Sequence, residues 1–144
     1  MAQNFNPYGN TCAFFIAKLQ GKGKLLAALR HNKRAIQAER GADSHIDSSR
    51  IHLNYCLLGD EAPEVISKAA DALLEKATGK RKDNVQAIEC LFSLPLSASK
   101  DTGAFFKACA NWVEGHFGGM LMSFDVHLDE TYPHAHALIL PRPP

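Results

Sequence analysis

The stretch HLDETYPHAHALIL, residues 127–140, most restricts what this chain can become. In an extended strand, residues two apart share a face. His134 and His136 therefore point one way, with Leu138 and Leu140 continuing that face. Ala135, Ala137 and Ile139 take the other. Past the histidines both faces are apolar, which predicts a strand running from a polar site into a covered core. Pro133 breaks the pattern, and His127 stands on its far side. The segment thus predicts a hairpin, with MLMSFDVHLD and HAHALILP as arms joined by ETYP. Such a hairpin brings His127 opposite the His134/His136 pair. Three imidazoles then converge on one point, the usual arrangement for a divalent metal with open positions. Glu130 lies at the turn, where it can complete the ligand shell or hold a ligand from behind. Asp129 is less well placed and suits a turn cap. A lone HxH is commonly a surface pair. HxDExxxHxH inside one short hairpin is far more specific for a metal.

The remaining punctuation predicts one domain, residues 1–144, long enough to bury a hydrophobic core. A first strand is read in 11–20, broken by GKGK. Leu25, Leu26, Leu29, Ala35 and Ile36 recur at helical spacing and predict one helix to Arg40, stopped by Gly41. HLNYCLLG, 52–59, reads as a second strand. A helix over 61–79 starts with Pro63 in its first turn and stops at Gly79. A third strand over 84–95 closes at Pro95. Asp101 or Ser99 caps a helix through FFKACANWVEGHF, with Gly118–Gly119 after it. The order is βαβαβαββ. It predicts an α+β fold: a mostly antiparallel sheet of about five strands with helices packed on it.

Composition excludes some classes. No run approaches the ~20 apolar residues of a membrane span. The polar start MAQNFNPYGN is unlike a signal peptide, so a cytoplasmic setting is the expectation. Cys12, Cys56, Cys90 and Cys109 lie in apolar segments without a CxxC pair, and are expected to be reduced, buried thiols. Net charge is +1, but residues 1–58 carry +5 and the rest −4. A basic front half suits contact with phosphates.

At HLDETYPHAH the chain resembles the histidine-rich metal motif of the Mob/Pre plasmid mobilization relaxases, a branch of the HUH endonucleases. LRHNKR, 29–34, resembles the HN-x-R segment of that family. SSRIHLNYCL, 48–57, resembles its SR-x-HLNY stretch, and KRKDNVQAIECLFSLP, 80–95, its RKDAV-type strand with a downstream Glu. The resemblance implies an HUH-relaxase-like fold and a metal-dependent, site- and strand-specific nick at a plasmid transfer origin, with strand transfer through a covalent 5′-phospho-histidine intermediate. It implies His127, His134 and His136 as metal ligands, Glu130 as the motif acid, and His31 as the nucleophile. The implied cofactor is Mn²⁺ or Mg²⁺, with Zn²⁺ also suited to the donor set. The implied partner is single-stranded or hairpin origin DNA. The C-terminal extension usual in the family is expected to be lacking.

Imidazole, with an unperturbed pKa of ~6.5, is largely unprotonated at neutral pH and attacks without a strong base. Either Glu130 or Glu89 is placed to orient His31. Arg30 and Arg34, four apart, are expected to flank it on one helix, with Arg34 as the phosphate clamp. Arg50, His52 and Asn54 alternate along the expected strand start, and Arg50 and Asn54 are candidate DNA contacts, as is Arg30. Tyr132 is a candidate for stacking on a base. Tyr55 is the alternative nucleophile, and Trp112 belongs to the expected core. Two other classes compete: a non-catalytic single-stranded-DNA-binding remnant or regulator with the same fold, and an unrelated tri-histidine metallohydrolase.

Overall fold

The computed structural model describes residues 2–4, 13–35, 46–77, 85–94 and 101–141. A short β1 (Ala2–Asn4) precedes β2 (Ala13–Gln20), α1 (Lys24–Asn32) and a 3-10 helix (Ser48–Leu53). Then come β3 (Tyr55–Leu58), α2 (Pro63–Ala77), β4 (Val85–Ser93), α3 (Thr102–Phe117), a 3-10 turn (Gly118–Met120), β5 (Leu121–His127) and β6 (His134–Ile139). The strands form one sheet in the order β1-β2-β4-β6-β5-β3. Every neighbouring pair is antiparallel. The expected α+β architecture holds, with one strand more than the pattern suggested. β1 is three residues with no apolar alternation. It joins the edge of β2 through backbone pairing, which side-chain periodicity cannot report.

Both faces of the sheet are covered, which explains why HAHALIL turns apolar on both sides. On one face α3 packs Phe105, Phe106, Cys109 and Val113 against Phe92, Phe124, Val126, Ala135, Ala137 and Ile139. On the other, Leu25 and Leu29 of α1 and Ile66 and Ala70 of α2 cover Ala87, Leu138 and Leu140. Each fully buried Phe or Leu contributes about 1.5–3 kcal/mol. Asp101 caps α3, its carboxylate accepting from the Ala104 amide at 3.0 Å. Trp112 is only partly covered, lying edge-on to Phe14 and Phe92. Cys90 and Cys109 are buried free thiols and Cys56 is a half-buried one. No described helix is long and apolar enough to cross a membrane.

Two local expectations are corrected. The helix carrying His31 breaks at Lys33–Arg34, where Arg34 takes a left-handed φ of 57°, and residues 36–40 of the expected span lie outside the described residues. Arg34 therefore does not share α1 with Arg30. Helical propensity is overridden here by ion pairs that draw Arg34 toward the sheet. Arg50 and His52 also do not alternate along a strand; they lie in the 3-10 helix, and Asn54 caps it. Asp47 starts that helix by accepting from the Ser49 amide at 3.0 Å, a side-chain bond that competes with strand pairing. The expected stops at Gly41, Gly79 and Pro95, the alternative cap Ser99, and Cys12 lie outside the described residues.

Gly59 follows β3 with φ 81°, and a Cβ there would strike the Met122 carbonyl oxygen of β5. Gly59→Ala is expected to cost more than ~1 kcal/mol, because both backbone angle and space are unsuited to a side chain. Urea unfolding of the variant measures this.

Candidate metal centre

The hairpin places the three histidines as its register dictates. His127 and His134 are direct cross-strand partners, and His136 pairs with Asp125 two residues on. All face the α1 side, as Leu138 does further along β6. One ligand nitrogen from each ring falls within a cluster no wider than 4.8 Å.

Each imidazole is oriented from behind by an acceptor. His127 Nε2 lies 2.6 Å from the Asn32 carbonyl oxygen, and His134 Nδ1 lies 2.9 Å from that of Tyr132. Carbonyls only accept, so both of these nitrogens carry protons. His136 Nδ1 sits 3.1 Å from a Glu89 carboxylate oxygen. Glu89 is pulled below the ordinary carboxylate range by His136 and by the Asn32 amide, against the opposing effect of burial. An ionised carboxylate also accepts, so His136 Nδ1 carries a proton and Nε2 is the nitrogen free to ligate. That atom is buried and has no hydrogen-bond partner among the described residues. The inward nitrogens His127 Nδ1 and His134 Nε2 are 3.2 Å apart. Two lone pairs at that distance repel, and a shared cation turns the repulsion into coordination. Metal–nitrogen bonds of ~2.1 Å set ligand nitrogens about 3–4 Å apart, so the donor set fits a divalent metal with little adjustment. Outer hydrogen bonds of this kind fix tautomer and ring angle in metal sites.

Glu130 supplies an oxygen beside the cluster, 3.2 Å from His134 Nε2. It is held there by Arg34 Nη2 at 2.8 Å. Arg34 is 4% exposed. Its Nε and Nη2 also grip both oxygens of Asp129 at 2.8 and 2.7 Å, a planar bidentate pair. Asp129, fully buried, accepts further from Asn54 Nδ2 at 2.8 Å. Asn54 Oδ1 in turn accepts from the Leu128 amide at 2.7 Å, and Arg50 Nε donates to the Leu128 carbonyl at 3.0 Å. The 3-10 helix thus clamps the turn that carries Glu130.

His31 reaches the same cluster from α1. Its ring centroid is 6.3 Å from that of His127 and 6.2 Å from that of His136. Burial, then the Arg34 charge and His136, lower its pKa below the ordinary value, outweighing Glu130 and Glu89. Burial drives His127 down to about 2, with His136 adding to the effect. Glu89 binds His136, and Glu130 stands by His134. Neither is hydrogen-bonded to His31.

Other expected residues divide. Tyr132 projects from the ligand turn and is 52% exposed. Arg30 is half-buried on α1, one residue before His31. Tyr55 packs against the α3-side core, and burial and Asp101 raise its phenol pKa. Asn32, Lys33 and Asp125 also build the site, unforeseen in the sequence. Lys33 Nζ pairs with Asp125 at 3.1 Å and donates to the Gly59 carbonyl, pinning the end of α1 to β5. The available signal for Asp125 was its place two residues before His127, on the same strand face.

The sequence pattern of the plasmid recombination enzyme family, Mob/Pre, matches residues 9–144. This chain belongs to that family. A 65 kDa protein of Zymomonas mobilis subsp. mobilis is 32% identical over 143 residues, with 94% of this chain aligned to 24% of that protein. A plasmid recombination enzyme of Streptococcus agalactiae is 28% identical over 142 residues, covering 90% of this chain and 28% of the relative. This Mob/Pre chain therefore spans about a quarter of the length of these curated relatives. The MobM relaxase domain, solved with Mn and bound to plasmid pMV158 oriT DNA, has a TM-score of 0.73 at 25% identity. That match covers 92% of this chain and 71% of the MobM chain. A MobM complex with 3′-thiophosphate DNA gives a TM-score of 0.75, also at 25% identity.

Two outcomes follow from this geometry. Asp129→Ala removes two charge-assisted bonds from the buried Arg34 guanidinium, leaving Glu130 as its acid partner, and is expected to cost about 3 kcal/mol, read by urea unfolding. The second concerns pH in metal-free protein. The folded-state pKa of His127 is far below its unfolded value, so below pH ~6.5 the unfolded chain takes up a proton the folded chain refuses. Stability is full above that pH and falls as pH drops, by up to about 2 kcal/mol at pH 5. His31 and His134, also lowered, act in the same direction. Thermal unfolding between pH 7.5 and 5 in chelator checks it, and His127→Gln should flatten the slope.

Proposed function

We propose that this Mob/Pre chain is a metal-dependent relaxase domain that nicks one DNA strand at a plasmid transfer origin and carries the new 5′ end on His31. The observation that supports it is the position of His31 over the three-histidine cluster. That position would bring an attacking nitrogen beside a phosphate bound at a cation held by His127, His134, His136 and Glu130. Mn in the MobM complexes favours Mn²⁺ here, while the donor set also suits Zn²⁺, and Mg²⁺ follows family habit. When bound, the cation supplies Lewis-acid stabilisation of charge on the scissile phosphate.

The chain's own residues do the rest. His31, kept neutral by burial and by Arg34, attacks phosphorus through a ring nitrogen. The P–O3′ bond breaks, the imidazole loses the proton on its other nitrogen, and the 3′ oxygen gains one. The products are a 5′-phosphoramidate on His31 and a free 3′-OH, which can attack in reverse and reseal the strand. The ion pairs of Arg34 support a role in holding Glu130 against His134, alongside the charge it places beside the phosphate. Exposed Tyr132 suits stacking on an unpaired base. Arg30 and Arg50 are the candidate phosphate contacts. The hydrogen bonds of Asn54 favour holding the turn over holding a nucleotide. A raised phenol pKa makes Tyr55 the weaker nucleophile. Origin DNA is a cytoplasmic substrate, which places the reaction there.

Incubation with labelled single-stranded transfer-origin oligonucleotides and Mn²⁺ or Mg²⁺ is expected to give a covalent adduct, lost in chelator. The bond should be acid-labile, as phosphoramidates are and tyrosine phosphodiesters are not. His31→Ala should abolish it, and Tyr55→Phe should keep it. Binding without an adduct would leave a DNA-binding protein. Metal-dependent hydrolysis without one would point to an unrelated hydrolase.

A further inference from the structure

Asn32 sits one residue after His31, is 2% exposed, and backs two of the three histidines, His127 directly and His136 through Glu89. Its main-chain carbonyl accepts from His127 Nε2 at 2.6 Å. Its side-chain Nδ2 donates to Glu89 Oε2 at 3.3 Å. That same carboxylate oxygen accepts from His136 Nδ1 at 3.1 Å. The other end of the amide, Oδ1, is buried with no hydrogen-bond partner among the described residues.

These two ends carry opposite consequences. A buried acceptor left without a partner opposes folding. An asparagine serving only the fold would have both ends satisfied, or would be replaced by an apolar side chain of similar volume. What this residue offers instead is a donor aimed at Glu89. With Nδ2 on one side and His136 on the other, the carboxylate is fixed in position, and His136 is fixed with it. The ring then presents Nε2, the buried nitrogen without a partner, to the cluster. Because α1 also carries His31, the same contact sets how far the attacking ring stands from the ligands.

We propose that Asn32 is a positioning residue for the metal centre: through Glu89 it holds His136 in its ligating orientation and ties the helix of His31 to the ligand set. The inference rests on the metal reading proposed above and adds a residue to it. Outer-sphere partners of metal-bound histidines typically contribute roughly ten- to a hundred-fold in metal affinity. The main-chain contact to His127 survives any substitution at position 32, so a variant reads the side chain alone.

The test is Mn²⁺ titration calorimetry of the full chain, without DNA, paired with thermal unfolding in chelator. Asn32→Leu keeps the branched outline and the number of heavy atoms, and removes the unpartnered oxygen. It should weaken Mn²⁺ binding roughly ten-fold or more while metal-free unfolding temperature stays level or rises. Glu89→Gln should weaken binding too. The double variant should lose less than the sum of the two single losses, because both break one chain of contacts. Should Asn32→Leu fail to fold, Asn32→Asp, of matching size, carries the comparison: it keeps the volume, removes the donor to Glu89 and should weaken Mn²⁺ binding relative to its own metal-free stability. Unchanged Mn²⁺ affinity in the variants overturns the inference, as does a fall in affinity matched by a fall in metal-free stability, or additive losses. A wild-type chain that binds no Mn²⁺ overturns the metal reading itself, which separates the two failures.

Discussion

Arg34 holds a left-handed backbone angle that side chains other than glycine seldom adopt, and its grip on Asp129 and Glu130 keeps it there. Such an angle costs of order 1–3 kcal/mol. A glycine would relieve it, as at many helix ends, but would bring no guanidinium. The strain is thus the condition for ending α1 one residue after His31 and sending a cation back to the sheet. Residues 32, 33 and 34 each reach a different acid: Glu89 on β4, Asp125 on β5, and Asp129 with Glu130 in the turn. Helix and hairpin are locked by successive residues, and the site lies in the seam between them.

This explains why the overall charge is a poor guide to partners. The front half carries a surplus of cations, but Lys33 and Arg34 are largely used up inside the protein against acids of the back half. The two halves differ in charge partly because they pair across α1 and β5.

The hairpin and the meeting of its three histidines were legible because period-two alternation and spacing are local. His127, His134 and His136 meet because of register alone. The antiparallel sheet and the α3 cap followed from the same kind of local signal. What the sequence hid was tertiary. The LLAALRHNKRAI run carries an unbroken helical pattern, and only partners some 95 residues away explain why it breaks. Asn32 and Asp125 look like ordinary surface polarity until opposite charges and buried neighbours are seen beside them. The three-residue β1 has no pattern to read. Arg50 and His52 looked strand-like by alternation, yet Asp47 turns the chain into a 3-10 helix that clamps the turn.

The closeness of the three imidazoles in sequence has a thermodynamic consequence. Residues 127–136 hold all of them, so a disordered chain keeps a weak chelating loop of its own. An ion that also associates with the denatured ensemble raises the melting point by less than its affinity for the native protein would give. Any part of the affinity unique to the native form would come from what is distant: the Asn32 carbonyl behind one ring and the Glu89 carboxylate behind another. For this chain a bound ion would reward the arrival of α1 and β4 at the hairpin more than the closing of the hairpin itself.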